Sequence, residues 1–217
     1  MSTKLVVFDI DGTILNTFAG IRLAVNHMRN HLGLAPLDDI TVRSKIGLDI
    51  DRFIKECVPE REIDNIAELN AIRLQALNSN PNLQALPYDG VPELLTRLQD
   101  EGIQLAVLTN KAYDSAIQNC QKFFGNIHFQ VIKGDRVGFD RKPSPKELLD
   151  IIDTVGVAKQ ETIFVGDSEL DVLCAKNAGV QCVAVLWGFR DKAELQEAGA
   201  TVFAITAQEL YDGIIQR

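Results

Sequence analysis

No stretch of this sequence approaches the roughly 18 consecutive apolar residues of a membrane-spanning helix, so none is expected. The apolar run that begins at Leu5 is too short for a secretory signal. Basic charge is also scarce: 22 Lys and Arg stand against 30 Asp and Glu, a formal net charge of −8. A chain without a basic field has little with which to displace the counterions of a nucleic acid, so nucleic-acid binding is not expected. Cysteine is sparse too. Cys57, Cys120, Cys174 and Cys182 form no C-x-x-C pair, and 217 residues suffice for a core without disulfide staples. These thiols are expected to be reduced and mostly buried, in a cytoplasmic protein. Repeats and low-complexity tracts are absent. The acidic balance has one further consequence: a small anionic substrate would need a cation placed locally where it binds.

What the sequence does contain is a strand–helix rhythm. Leu5-Val6-Val7-Phe8 is a continuous apolar run ending abruptly at Asp9, as a buried parallel strand does. Comparable runs are Leu105 to Leu108, Thr162 to Val165 and Cys182 to Val185, with weaker ones from Phe129 to Ile132 and Thr201 to Ile205. Helical spacing recurs between them, over 91–101, 112–124, 145–155, 169–178, 192–198 and 207–216. This alternation predicts an α/β fold, a Rossmann-like parallel sheet covered by helices on both faces. Residues 17–83 break the rhythm. Ile21, Ala24, Val25, Met28 and Leu32 line one helix, and Ile63, Ile66, Ala67, Leu74 and Leu77 suit one face of a later one, with Glu68 and Arg73 on its polar side. Asn78-Ser79-Asn80-Pro81-Asn82 reads as the closing turn. The expected division is a core of residues 1–16 and 84–217 and a helical insert of 17–83.

Four constellations carry chemistry, each at the exit of an apolar run. Asp9-Ile10-Asp11-Gly12-Thr13 places two carboxylates beside a glycine, where ligands bind in open α/β sheets. Its plainer reading is a turn. Leu108-Thr109-Asn110-Lys111 offers a hydroxyl, an amide and backbone N–H groups at an expected helix start, which suits phosphate but equally suits a helix cap. Arg141-Lys142-Pro143-Ser144-Pro145 fixes a lysine just before a helix, as a countercharge or as a solvated loop residue. Gly166-Asp167-Ser168-Glu169-Leu170-Asp171 sets two acids about one helical turn apart. Such acids are common at a helix N-terminus for dipole reasons. Gathered at two strand exits, however, they favour a hard divalent cation with oxygen ligands, which points to magnesium.

In this order, D-x-D-G-T, T-N, K-P-x-P and G-D-x-x-x-D resemble the haloacid dehalogenase-like phosphatase superfamily, and within it the phosphoglycolate phosphatase-like proteins. The resemblance spans the whole chain and makes 17–83 the helical cap of that family. It implies Asp9 as the nucleophile that becomes an aspartyl phosphate, and Asp11 as the acid and then the base. It implies Mg²⁺ held by Asp9, the backbone carbonyl of Asp11 and Asp167, with Asp171 acting directly or through water. Thr109, Asn110 and Lys142 would bind the phosphoryl oxygens. The implied substrate is a small phosphorylated metabolite, and the implied state a monomer or homodimer. Asp11 separates this reading from the dehalogenases, which lack a second acid. Phosphonate hydrolysis would need an imine-forming lysine, and nothing marks Lys45 or Lys55 for it. A sugar phosphomutase shares the core residues and stays open, as does a phospho-signalling receiver-like module. The loop candidate for reaching the substrate is Arg43-Ser44-Lys45-Ile46-Gly47-Leu48, or else a solvated turn. His27 and His31 have zinc-compatible spacing without a third ligand and read as an exposed helix edge. Trp187-Gly188 reads as a site mouth or as packing.

Overall fold

The computed structural model describes residues 2–59, 65–79 and 85–216. Backbone packing divides the chain into two compact units, Met1–Leu15 with Pro87–Arg217, and Asn16–Leu86. The first unit opens on β1 (Leu5–Phe8), and the chain leaves it at β2 (Leu15–Asn16). The second holds α1 (Phe18–His31), α2 (Asp39–Lys45), α3 (Ile50–Cys57) and α4 (Ile66–Asn78). β3 (Leu86–Pro87) leads back into α5 (Val91–Asp100), β4 (Gln104–Ala112), α6 (Tyr113–Phe123) and β5 (Phe129–Asp135). Then come α7 (Lys146–Val155), β6 (Thr162–Gly166), α8 (Glu169–Ala178) and β7 (Gln181–Val185), and finally α9 (Lys192–Glu197), β8 (Phe203–Ala204) and α10 (Ala207–Ile215).

Six parallel strands make one sheet in the order β5-β4-β1-β6-β7-β8. β1 is central because it is apolar on both faces. Leu5 and Val7 join Ala106, Leu108, Phe164 and the inner faces of α7 and α8 in one cluster, while Val6 and Phe8 are also fully buried. Each such side chain contributes about 1.5–3 kcal/mol by leaving water. The register sets Phe8 beside Val107 on one side and Val165 on the other, so β6 ends at Gly166, one residue past the end of β1. The residues that follow the two strands are Asp9 and Asp167, at the carboxyl edge where the strand order reverses direction.

In the helical unit α1 buries Ala24, Val25 and Met28 and packs along α4. His27 and His31 are exposed, as expected. The expected face of α4 is only partly right: Ile66 and Leu77 are half-buried and Glu68 is exposed. Leu69 and Ala76, two turns apart, are the buried residues, whereas Leu74 is 43% exposed and Ala67 is exposed. Apolar side chains occur all round this helix, so spacing alone does not single out a face. Nor is Arg73 simply solvated: it is largely covered, its guanidinium held by Asn70 at 2.8 Å. The expected loop 43–48 is partly helix, because Asp38 caps α2 by accepting from Thr41 N at 2.8 Å, and Arg43 to Lys45 form its last turn. Asp49 caps α3 in the same way through Arg52 N. Ile63, the turn residues Asn80 to Asn82, and the boundary at 83 and 84 lie outside the described residues. Among the described residues no helix is long and apolar enough to cross a membrane, and all four cysteines are free.

Candidate active site

The loop after β1 is wound tightly by local hydrogen bonds. Ile10 O accepts from the backbone N–H groups of Thr13, Ile14 and Leu15, and Gly12 N donates to Leu15 O at 2.9 Å. Gly12 has φ +87°, a left-handed conformation open to glycine at little cost, and a Cβ there would fall 2.1 Å from Asp167 Oδ2. Gly188, after β7, closes on the same carboxylate from elsewhere: its Cβ would fall 2.2 Å from Asp167 Cβ. Asp167 is thereby seated between two glycines. Its Oδ1 accepts from Thr13 Oγ1 and its Oδ2 from Phe189 N, both at 2.8 Å.

Asp9, Asp167 and Asp171 are all buried, each with an oxygen within 4.8 Å of the others'. Lys142 reaches into this group from the loop before α7. Its ammonium lies 2.6 Å from Asp171 Oδ1 and 2.9 Å from Asp9 Oδ1. The contact to Asp9 falls outside hydrogen-bonding angles, so Asp9 Oδ1 accepts no well-directed bond from the protein. Burial pushes the Asp9 carboxyl up to about 6, with Lys142 opposing and Asp171 adding to the rise. Asp167 is pushed well above the carboxylate range by burial first and then by Asp171 and Asp9. Burial also works against the charge of Lys142, but Asp171 and Asp9 outweigh it and hold the ammonium protonated.

Three carboxyl groups are thus buried together, two of them against one ammonium, and one oxygen is left without a directed donor. Charge so arranged is costly in a protein interior unless a cation joins it. The donor set is oxygen only, which suits a hard divalent cation rather than zinc or copper.

Of the sequence-derived residues, Asp9, Lys142, Asp167 and Asp171 converge. Thr109 is buried, and its hydroxyl oxygen accepts from Lys111 N at 3.2 Å. Asn110 is different. Its side-chain oxygen accepts from Lys142 N at 2.8 Å and its amide donates to Lys142 O at 3.1 Å, so both ends are engaged with the lysine's backbone. The expected helix start at this point is also corrected: β4 runs on to Ala112, through an irregular register with β5, and α6 begins at Tyr113. Asp11 stands apart from the buried acids, paired with Lys111. Asp171 is the most constrained of the acids. Its Oδ2 accepts from Ser168 N and Ser168 Oγ, at 3.0 and 2.6 Å, in a reciprocal cap of α8.

Sequence reasoning assigned no role of their own to Ser168, Thr13 or Lys111, and read Gly188 only as part of a site mouth or as packing. Ser168 carried a legible signal, the S-x-x-D spacing of a capping box. The others act through approaches of residues far apart in the chain. Trp187 turns out to be tied to the acidic loop, its indole N–H donating to Thr13 O at 2.9 Å, with the Tyr88 ring 6.3 Å away.

Known proteins agree with this geometry. A phosphoglycolate phosphatase from Chromobacterium violaceum is 31% identical over 96% of this chain and 95% of its own. One from Agrobacterium fabrum is 35% identical over 87% of this chain and 83% of its own. The solved structure of a candidate phosphoglycolate phosphatase from Lactobacillus delbrueckii subsp. bulgaricus superposes with a TM-score of 0.88, at 25% identity and 100% coverage of both chains. The family model of haloacid dehalogenase-like hydrolases matches residues 6–185, and the protein belongs to that family.

Proposed function

We propose that the protein is a magnesium-dependent phosphatase that hydrolyses a small phosphate monoester through an aspartyl phosphate on Asp9, with phosphoglycolate the first substrate to test. The observation that carries the proposal is the buried convergence of Asp9, Asp167 and Asp171 around Lys142. The similarity to phosphoglycolate phosphatases over nearly the whole chain gives it direction. Asp9, Asp167 and the backbone carbonyl of Asp11 would hold magnesium. Asp171, whose oxygens already serve Lys142 and Ser168, would contribute mainly by fixing that lysine.

When bound, magnesium would supply positive charge that lets a carboxylate approach a phosphate dianion. Asp9 attacks phosphorus, forming the acyl-phosphate bond as the ester P–O bond breaks, and Asp11 gives its proton to the departing oxygen. Asp11 then takes a proton from water, whose oxygen attacks the same phosphorus and releases Asp9 and phosphate. Lys142 and the Thr109 hydroxyl offset charge on the transferring oxygens, where positioning and countercharge dominate the rate. The segment 17–83 is read as the cap of such an enzyme. Four free thiols suit a cytoplasmic setting.

The test is phosphate release from a panel of phosphomonoesters by wild type and Asp9→Asn, with magnesium and with excess chelator. Turnover should require the metal and disappear in the variant. Equal activity in Asp9→Asn would refute the nucleophile, and activity in chelator would refute the metal.

A further inference from the structure

Lys111 lies two residues beyond Thr109 on the extended end of β4, and its backbone is fixed. Its N–H donates to Thr109 Oγ1 at 3.2 Å, and its carbonyl packs so close to Gly134 that a Cβ there would fall 2.8 Å from it. Its side chain is also largely covered, 20% exposed. The ammonium lies 2.8 and 3.0 Å from the two oxygens of Asp11, whose own side chain is 19% exposed. This pair is placed on the residue that faces the leaving group.

We propose that Lys111 is a specificity-determining residue, which selects phosphate esters whose leaving group carries its own negative charge close to the ester oxygen; a phosphorylated 2-hydroxy acid is the fitting class. The proposal rests on the phosphatase reading above. An ester oxygen accepting the proton of Asp11 would lie about 2.7 Å from that carboxyl group. The ammonium of Lys111 would then stand within roughly 5.5 Å of the same ester oxygen. A carboxylate on the adjoining carbon carries its oxygens about 3 Å outward from the ester oxygen, which brings them within contact of that ammonium. An ammonium has three N–H donors, and the Asp11 carboxylate takes two. The third serves the incoming carboxylate. A neutral alcohol offers it nothing, and in an acidic chain a second anionic group is repelled unless such a cation meets it.

The experiment compares kcat/KM on phosphoglycolate with kcat/KM on ethyl phosphate, in magnesium, for wild type, Lys111→Met, Lys111→Gln and Lys111→Arg. The ratio of the two should fall roughly 10- to 100-fold in the neutral variants, the size expected for one charged hydrogen bond, chiefly through KM on phosphoglycolate. Lys111→Arg should recover most of it. A ratio within about threefold of wild type in both neutral variants would overturn the proposal. The wild type gives a test that needs no variant: glycolate should inhibit competitively where ethanol at the same concentration does not, and equal inhibition would also overturn it. Wild type inactive on both esters would instead overturn the phosphatase reading beneath it, which the Asp9→Asn control identifies.

Discussion

Asn110 grips Lys142 by the backbone, accepting from its N–H and donating to its carbonyl with one planar carboxamide. The lysine that meets the buried acids is therefore positioned from β4 and not by its own loop alone. Asn110→Ala would leave both peptide groups of Lys142 without that partner, at about 1–3 kcal/mol for each buried group. We expect a lower melting temperature and a kcat reduced about 10- to 100-fold, as small misplacements of reacting groups produce. Steady-state kinetics beside thermal melts would check this. A variant that loses stability but keeps kcat would show that the grip is structural only.

Gly188→Ala should act through Asp167. The new methyl group would meet the Asp167 side chain at 2.2 Å, so the carboxylate must move. Magnesium affinity, measured by calorimetry, should fall about 10- to 100-fold, the usual effect of disturbing the support of a ligand. Gly213→Ala in α10 is the control, because nothing lies within 4 Å of its Cβ position. Equal affinity in the two variants would contradict the assignment.

The raised carboxyl of Asp9 makes a signed prediction. Its folded value of about 6 lies above the ordinary carboxyl value of 3.8, so the metal-free folded state holds the proton more tightly than the unfolded chain. Stability from that proton is fully present below about pH 4 and is lost as pH rises through about 6. A divalent cation takes the proton's place and needs the ionised form. The rise in melting temperature on adding magnesium should therefore be small near pH 5 and larger near pH 7.5, as thermal scans can read. A shift that shrinks with rising pH would contradict it.

Asp11→Asn removes the proposed proton donor while keeping its shape. Turnover on an alkyl phosphate should drop by about 10²–10⁴-fold, the usual scale of general acid catalysis. An aryl phosphate, whose leaving group departs without much help, should lose far less. Matching losses on both, measured under saturating metal, would remove Asp11 from that role.

The sheet was legible because β1, β4, β6 and β7 are buried on both sides and read as unbroken apolar runs ended by polar residues. Asp9 and Asp167 were legible because each directly follows such a strand, and Lys142 and Asp171 because motifs place them in the loop before α7 and in the first turn of α8. α4 was partly misread because Leu69 and Ala76 are no more apolar than the exposed Leu74, so burial there is decided by tertiary contact with α1. Asn110 has a structural link that its motif does not reveal. Its two hydrogen bonds go to a residue 32 positions away, a pairing that local sequence does not announce. Lys111 was hidden for a similar reason, its partner lying 100 positions earlier.

The sole tryptophan of the chain, Trp187, is hydrogen-bonded to the carbonyl of Thr13, whose hydroxyl in turn holds Asp167. Nature has wired an optical reporter to the metal-facing loop. Its emission can be followed without dyes or labels, and any ligand that tightens or loosens that loop will register as a change in brightness or colour.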